Sequence, residues 1–266
     1  MSQRWALLLQ YEGTEFAGSQ WQPNRPTIQG ALQDALKSLT GVPTQVSLAG
    51  RTDAGVHATG QVGSWVSEWD ETAMPARRWV RGLNHFLPDS IAVQAVAAAP
   101  DEFDPRRDAV SRTYTYRVRL ARQRQPLWSR RAWVLSPLFD TQPAREVVQA
   151  LVGEHDFASF TPPNTERSTV RYLSDASLER RGESVSFRFC ADAFLQHQVR
   201  RMVGAVCEVA RGRMPVEQFL REFERTEPGS MGPTAPACGL VLTRVDYRQP
   251  LFSCLEGAAR EIDESA

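Results

Sequence analysis

The segment Ala49-Gly50-Arg51-Thr52-Asp53-Ala54-Gly55-Val56-His57-Ala58 sets one carboxylate and one arginine among glycines and alanines. Small residues let a large ligand approach the backbone closely. The guanidinium of Arg51 would favour the ionised form of Asp53, which suits a nucleophile better than a general acid. The same residue types also make an ordinary Asx turn after a strand, and composition alone favours that plainer account. Val56-His57 stand where a phosphate-binding loop needs Lys and Ser/Thr, so a nucleotide cradle is excluded. Tyr114 opens a strand and could face a base, while Tyr116 on the same face reads as a core aromatic. Arg200, at the edge of an apolar helix face, is either the partner of a buried carboxylate or a snorkelling surface arginine. His155-Asp156-Phe157 resembles a hydrogen-bonded corner more than a ligand pair.

These residues need a scaffold, and the periodicity supplies one. Trp5, Leu7, Leu9 and Tyr11 alternate as in a strand. A helix is expected from about Thr27, its N-cap, with Ile28, Leu32, Ala35 and Leu36 on one face, ended by Gly41 and Pro43. Strands are expected over 45–49, 60–68 and 90–98, and a helix over 74–86. That is strand–helix–strand–strand–helix–strand, a split βαβ pattern. Tyr114, Tyr116, Val118 and Leu120 mark a further strand. An Arg/Gln/Pro-rich loop follows at 121–130, then a helix at 143–152. Strands at 175–179 and 185–189 suggest a hairpin around Arg181-Gly182. Helices at 193–211 and 215–225 and a strand at 239–246 complete a similar second half. The expected fold is α/β (α+β): residues 1–104 and 105–248 form two halves sharing a mainly antiparallel sheet with a cleft between them. Residues 249–266 are expected as a tail, partly disordered.

Composition narrows the chemistry. The 266 residues are 42% hydrophobic and 23% charged, as in globular proteins. No apolar run is long enough to span a membrane, and the N-terminus lacks a signal peptide, so a cytoplasmic location is expected. Cys190, Cys207, Cys238 and Cys254 form no C-x-x-C pair and are expected as free thiols. The histidines are scattered, with no H-E-x-x-H, so no metal is expected. Dinucleotide, P-loop and esterase motifs are absent, and no cofactor is expected. The formal net charge is zero, yet it is unevenly placed. Between Arg106 and Arg131 there are nine arginines and one acid, whereas Met214–Ala266 carries nine acids and five arginines. Lys37 is the sole lysine. Arginine forks bind phosphates bidentately and stack on bases, so the basic segment suggests an anion-binding face.

With these residues in view, AGRTDAGVHA (49–58) resembles the signature of the tRNA pseudouridine synthase A family. QYEGTEFAGSQ (10–20), TIQGALQDAL (27–36), RGLNHFLPDSIAV (81–93), SRTYTYRV (111–118), HDFASF (155–160), FLQHQVRRMVG (194–204) and APACGLVLTRVDY (235–247) follow in family order. The resemblance implies the pseudouridine synthase fold and isomerisation of uridine to pseudouridine at positions 38, 39 and 40 of the tRNA anticodon stem-loop. It implies that Asp53 is the catalytic aspartate and that Arg51 helps place the flipped nucleotide. It further implies that Tyr114 packs on the target base and that Arg200 pairs with the catalytic carboxylate. It also implies a homodimer acting on tRNA without metal or cofactor. Three positions depart from the family pattern: Ser19 where tryptophan is usual, Asp104-Pro105 for His-Ala, and Gln198 for methionine. Two competing readings remain: a tRNA-binding or chaperone protein without chemistry, and a base-releasing glycosidase. The latter usually needs two carboxylates, and only one good candidate is present.

Overall fold

The computed structural model describes residues 2–163 and 168–252. Its first half runs β1 (Gln3–Tyr11), α1 (Ile28–Thr40), β2 (Ser47–Leu48), β3 (His57–Ser67), α2 (Ala76–Phe86) and β4 (Ile91–Ala99). The alternation in β1 buries Trp5, Leu7, Leu9 and Tyr11. The Thr27 hydroxyl accepts the Gly30 N–H at 3.1 Å and starts α1. Gly41 stops it in the left-handed region at φ 77°.

The second half runs β5 (Ala109–Leu120), β6 (Trp133–Leu135), α3 (Thr141–Ala150), β7 (Gly153–Asp156), β8 (Val170–Arg181), β9 (Ser184–Ala191), α4 (Gln198–Ala210), α5 (Val216–Glu224) and β10 (Leu240–Tyr247). The strand expected at 45–49 shrinks to two residues, while β6 and β7 are short additions. The helix expected from 193 begins only at Gln198. His197 sits at φ 62°, and the Gln198 side chain accepts the Leu195 N–H at 2.8 Å, closing a turn ahead of α4. The corner at 155–157 is hydrogen-bonded: the Asp156 carboxylate accepts the Ala158 N–H at 3.0 Å.

One sheet has the order β4-β1-β3-β10-β5-β9-β8-β7, with β2 added to β3 and β6 to β5. Each half thus repeats the order fourth, first, third, second, the ferredoxin-like arrangement. The halves meet where β10 pairs parallel with β3, Val241 opposite His57 and Leu242 opposite Ala58. The remaining pairings are antiparallel except β5–β6. The helices bury their apolar faces in one continuous core with the strands. Trp5, Trp65 and Trp79 anchor it in the first half, and Phe157, Phe160, Phe219 and Phe223 in the second. A second, small cluster, Ala6, Ala49, Val62, Ala99 and Phe103, forms beside it. Cys190, Cys207 and Cys238 are free thiols; Cys254 and the tail beyond Phe252 lie outside the described residues. Among the described residues, no helix is long and apolar enough to cross a membrane.

Candidate active site

Residues 49–56 connect β2 to β3 at the centre of the sheet. Beyond the Ala49 N–H, which donates to the Val62 carbonyl of β3 at 2.8 Å, this loop draws many of its hydrogen bonds from side chains outside it. Ser19 Oγ accepts the Thr52 N–H at 2.8 Å, and the Ser19 N–H donates to the Thr52 carbonyl at 3.0 Å. The Gln61 amide donates to the Gly50 carbonyl at 2.9 Å. Tyr11 and Thr52 hydroxyls lie 2.9 Å apart. Arg112 is buried, and its guanidinium donates to the carbonyls of Ala49, Arg106, Ala109 and Asp192, tying the loop to the second half. Buried backbone groups must be satisfied, and here these side chains do it. A turn brings the Val56 N–H to the Asp53 carbonyl at 3.1 Å, with Gly55 at φ 79°, a conformation that favours glycine.

Asp53 crowns this turn with its side chain 29% exposed. Arg200 Nη1, from the first turn of α4, donates to Asp53 Oδ2 at 2.9 Å. His197 Nε2 stands 3.5 Å from the same oxygen. The Asp53 carboxylate is thus oriented through Oδ2, while Oδ1 has no hydrogen bond or ion pair to a described residue. The Arg200 guanidinium is itself held, its Nε donating to the Ala235 carbonyl at 2.8 Å.

Tyr114 is buried beside this pair, its ring edge-on to Phe194 at 5.2 Å. Burial first, then the neighbouring Tyr11 and Asp53, push its phenol above the ordinary range, so the hydroxyl keeps its proton. Beneath the loop, burial pushes the Tyr11 phenol up to about 12. Tyr116 is fully buried in the core.

The structure therefore brings Asp53, Arg200 and Tyr114 together. Arg51 is the exception: it is exposed, and it bonds to no described residue. The cation on Asp53 is Arg200, from the other half of the chain, and not the sequence neighbour Arg51. Sequence reasoning missed His197 and His57. The one signal for His197 was its place three residues before Arg200. His57 is buried and bonded at both ring nitrogens, which periodicity does not reveal. The basic segment is mixed: Arg112 is an internal clamp, whereas Arg106, Arg107, Arg122, Arg124, Arg130 and Arg131 are exposed. Ser19, at a departure from the family pattern, is buried and serves the loop directly.

A family model described as tRNA pseudouridine synthase matches residues 8–107 and 147–248, most of the chain. A tRNA pseudouridine synthase A of Myxococcus xanthus is 39% identical over 263 residues, covering 98% of both chains. One of Bordetella petrii is 41% identical over 248 residues, covering 92% of this chain and 91% of its own. One of Chloroflexus aurantiacus is 40% identical over 263 residues, covering 96% and 93%. A solved chain from a Cbf5-Nop10-Gar1 complex aligns over 89% of this chain and 57% of its own. Its TM-score of 0.36 at 10% identity is too remote to carry an inference.

Proposed function

The chain belongs to the tRNA pseudouridine synthase family, isomerases that act on tRNA, and from that premise we propose that Asp53 is the catalytic carboxylate, acting on uridines 38, 39 and 40 of the anticodon stem-loop. The observation that carries this reading is the Asp53–Arg200 ion pair, set in a loop held by side chains from both halves.

The reaction breaks the N1–C1′ bond, turns the base and joins C5 to C1′. C5 loses a proton and N1 gains one, so the product is an isomer and nothing is oxidised or consumed. A carboxylate can serve either by attacking C1′ or by taking a proton from the ribose; both fit an Asp53 held through Oδ2 by Arg200. A uridine in a stem must leave the stack to reach it. Tyr114 lines the site as a neutral aromatic against which the flipped base packs. Arg51, exposed on the loop rim, contacts the displaced nucleotide or its phosphate. Arg200 orients the carboxylate. The exposed arginines of 106–131 hold tRNA phosphates, and a homodimer doubles that surface, offsetting the zero net charge of one chain. The enzyme works where tRNA matures, in the cytoplasm.

The test is tritium release from transcribed tRNA carrying 5-tritiated uridine, with wild type beside Asp53→Ala. Release by wild type alone, with no free uracil, is the expected result. Tight binding without release from several tRNAs would establish the non-catalytic reading instead, and free uracil the glycosidase.

A further inference from the structure

Residues 233–239 form a strap across the site. At its start the Pro233 carbonyl presses on Gly204 of α4, where a Cβ would overlap it. The Ala235 N–H donates to the Arg200 carbonyl at 3.0 Å, and Arg200 Nε donates back to the Ala235 carbonyl at 2.8 Å. The Tyr116 hydroxyl donates to the Pro236 carbonyl at 2.7 Å. The Ala237 methyl abuts Gly55, where a Cβ would stand 3.3 Å away. His57 Nε2 lies 3.1 Å from the Cys238 carbonyl. One segment thus touches both the Asp53 loop and the arginine that pairs with Asp53.

His57 is 7% exposed, and its two bonds fix its chemistry. Nδ1 lies 3.0 Å from the Gly13 N–H, which can only donate, so Nδ1 accepts. Nε2 faces a carbonyl, which can only accept, so the proton sits on Nε2. Both bonds hold together only in the neutral ring.

We propose that His57 and Tyr116 are positioning residues for the isomerisation: through the 235–238 strap they hold Arg200 in line with the Asp53 carboxylate. Neither residue has a hydrogen bond or ion pair to Asp53. The inference rests on Asp53 being the catalytic carboxylate. A misplacement of about 1 Å at a reacting group costs on the order of a hundredfold in rate, so a strap of this kind matters.

The groups facing His57 define its pH behaviour. Burial pushes its imidazole below the usual range, and the Arg131 charge adds to that. The Glu12 carboxylate, 3.5 Å from Nδ1, opposes it, as do hydrogen bonds with the Cys238 and Arg130 backbones. Protonation on the acid side places a second ring N–H against the Gly13 N–H and breaks the brace.

The experiment measures single-turnover tritium release and tRNA affinity for His57→Ala, His57→Gln and Tyr116→Phe between about pH 5 and 8, with Asp53→Asn in parallel. The rate is expected to fall about 10- to 100-fold in His57→Ala, with affinity held within about threefold. His57→Gln, which keeps a donor toward Cys238, recovers part of the rate and loses an acid-side step present in wild type. Tyr116→Phe lowers the rate by several-fold, and its effect is less than multiplicative with His57→Gln, because both act through one strap. Wild-type rates, or losses of rate and affinity in equal measure, overturn the proposal. Tyr116→Phe preserves the buried ring, so its rate decides the matter even if His57→Ala does not fold. An active Asp53→Asn enzyme overturns the assignment of Asp53 itself. An inactive one beside wild-type-like His57 and Tyr116 variants overturns the strap alone.

Discussion

The two halves share one strand order but differ at the link between their second and third strands. In the second half, β8 and β9 pair from Leu173 opposite Ala191 to Arg181 opposite Ser184, closing at Gly182 with φ 60°. In the first half, β2 meets β3 only at Ser47–Ser64 and Leu48–Gly63. The start of β3 instead pairs with β10. A hairpin satisfies its backbone with its own ladder. The backbone of the 49–56 loop relies instead on the side chains of Ser19, Gln61 and Arg112, with Tyr11 holding the Thr52 hydroxyl. The same topology therefore yields a self-sufficient hairpin in one half and, in the other, a loop tied down by outside side chains near the junction of the halves, with an acid at its crest.

Substitutions can break that contrast, and the largest effect is expected at Arg200. Arg200→Gln removes the cation from Asp53, and kcat should fall by about 10²–10³, as for loss of a preorganised charged donor; single-turnover kinetics measure it, and a change under about fivefold would undo the pairing argument. Next come the two turn glycines. Gly55→Ala and Gly182→Ala each force a side chain into a left-handed residue, at about 1–2 kcal/mol. Gly55→Ala also meets Ala237, so its kcat should fall about tenfold, while Gly182, with open space around it, should lose stability only. Denaturant melts beside kinetics separate these outcomes. Ser19→Ala leaves the buried Thr52 N–H without its acceptor, and urea titration should register a loss of about 1–3 kcal/mol. Arg51→Ala should lower turnover more than tRNA binding, since Arg51 supports no described part of the fold; equal losses in gel-shift and rate assays would deny it a role in flipping.

The smallest effect is in pH. Because His57 is held below its unfolded value, the unfolded chain binds more protons on the acid side. The stability this contributes is complete above about pH 6.5 and is lost as pH falls through the folded value. Urea midpoints at neutral and mildly acid pH should therefore converge in His57→Gln relative to wild type. No counterpart is expected from the β8–β9 hairpin, whose link, Gly182-Glu183, holds no histidine.

Much of this was legible beforehand because it is local. Period-two alternation announces β1 and β5, and Thr27 and Gly41 bracket α1. At Asp53 residue type alone favoured a plain turn, and it was the surrounding motif, which resembles the family signature, that singled the residue out. The delayed start of α4 was hidden, because an apolar face looks the same whether its first turn is helical or closed by Gln198. Arg112 counted as one more surface cation, since nothing in the order of residues tells that four carbonyls converge on it. Nothing in the order of residues sets His57 apart from the other scattered histidines, because Gly13 and Cys238 meet its two ring nitrogens only in the folded chain.

By itself the sequence determined most of the elements, their division between two α/β halves and the family to which the chain belongs, because periodicity, caps and contiguous motifs act over a few residues. Residue types alone left the cation facing Asp53 open, the family resemblance pointed to Arg200, and only the tertiary structure set the two groups 2.9 Å apart. Arg51, two residues away, points to solvent, and Arg200, 147 residues away, makes the bond. An ion pair depends on distance in space, and here the β3–β10 junction and the 235–238 strap set that distance.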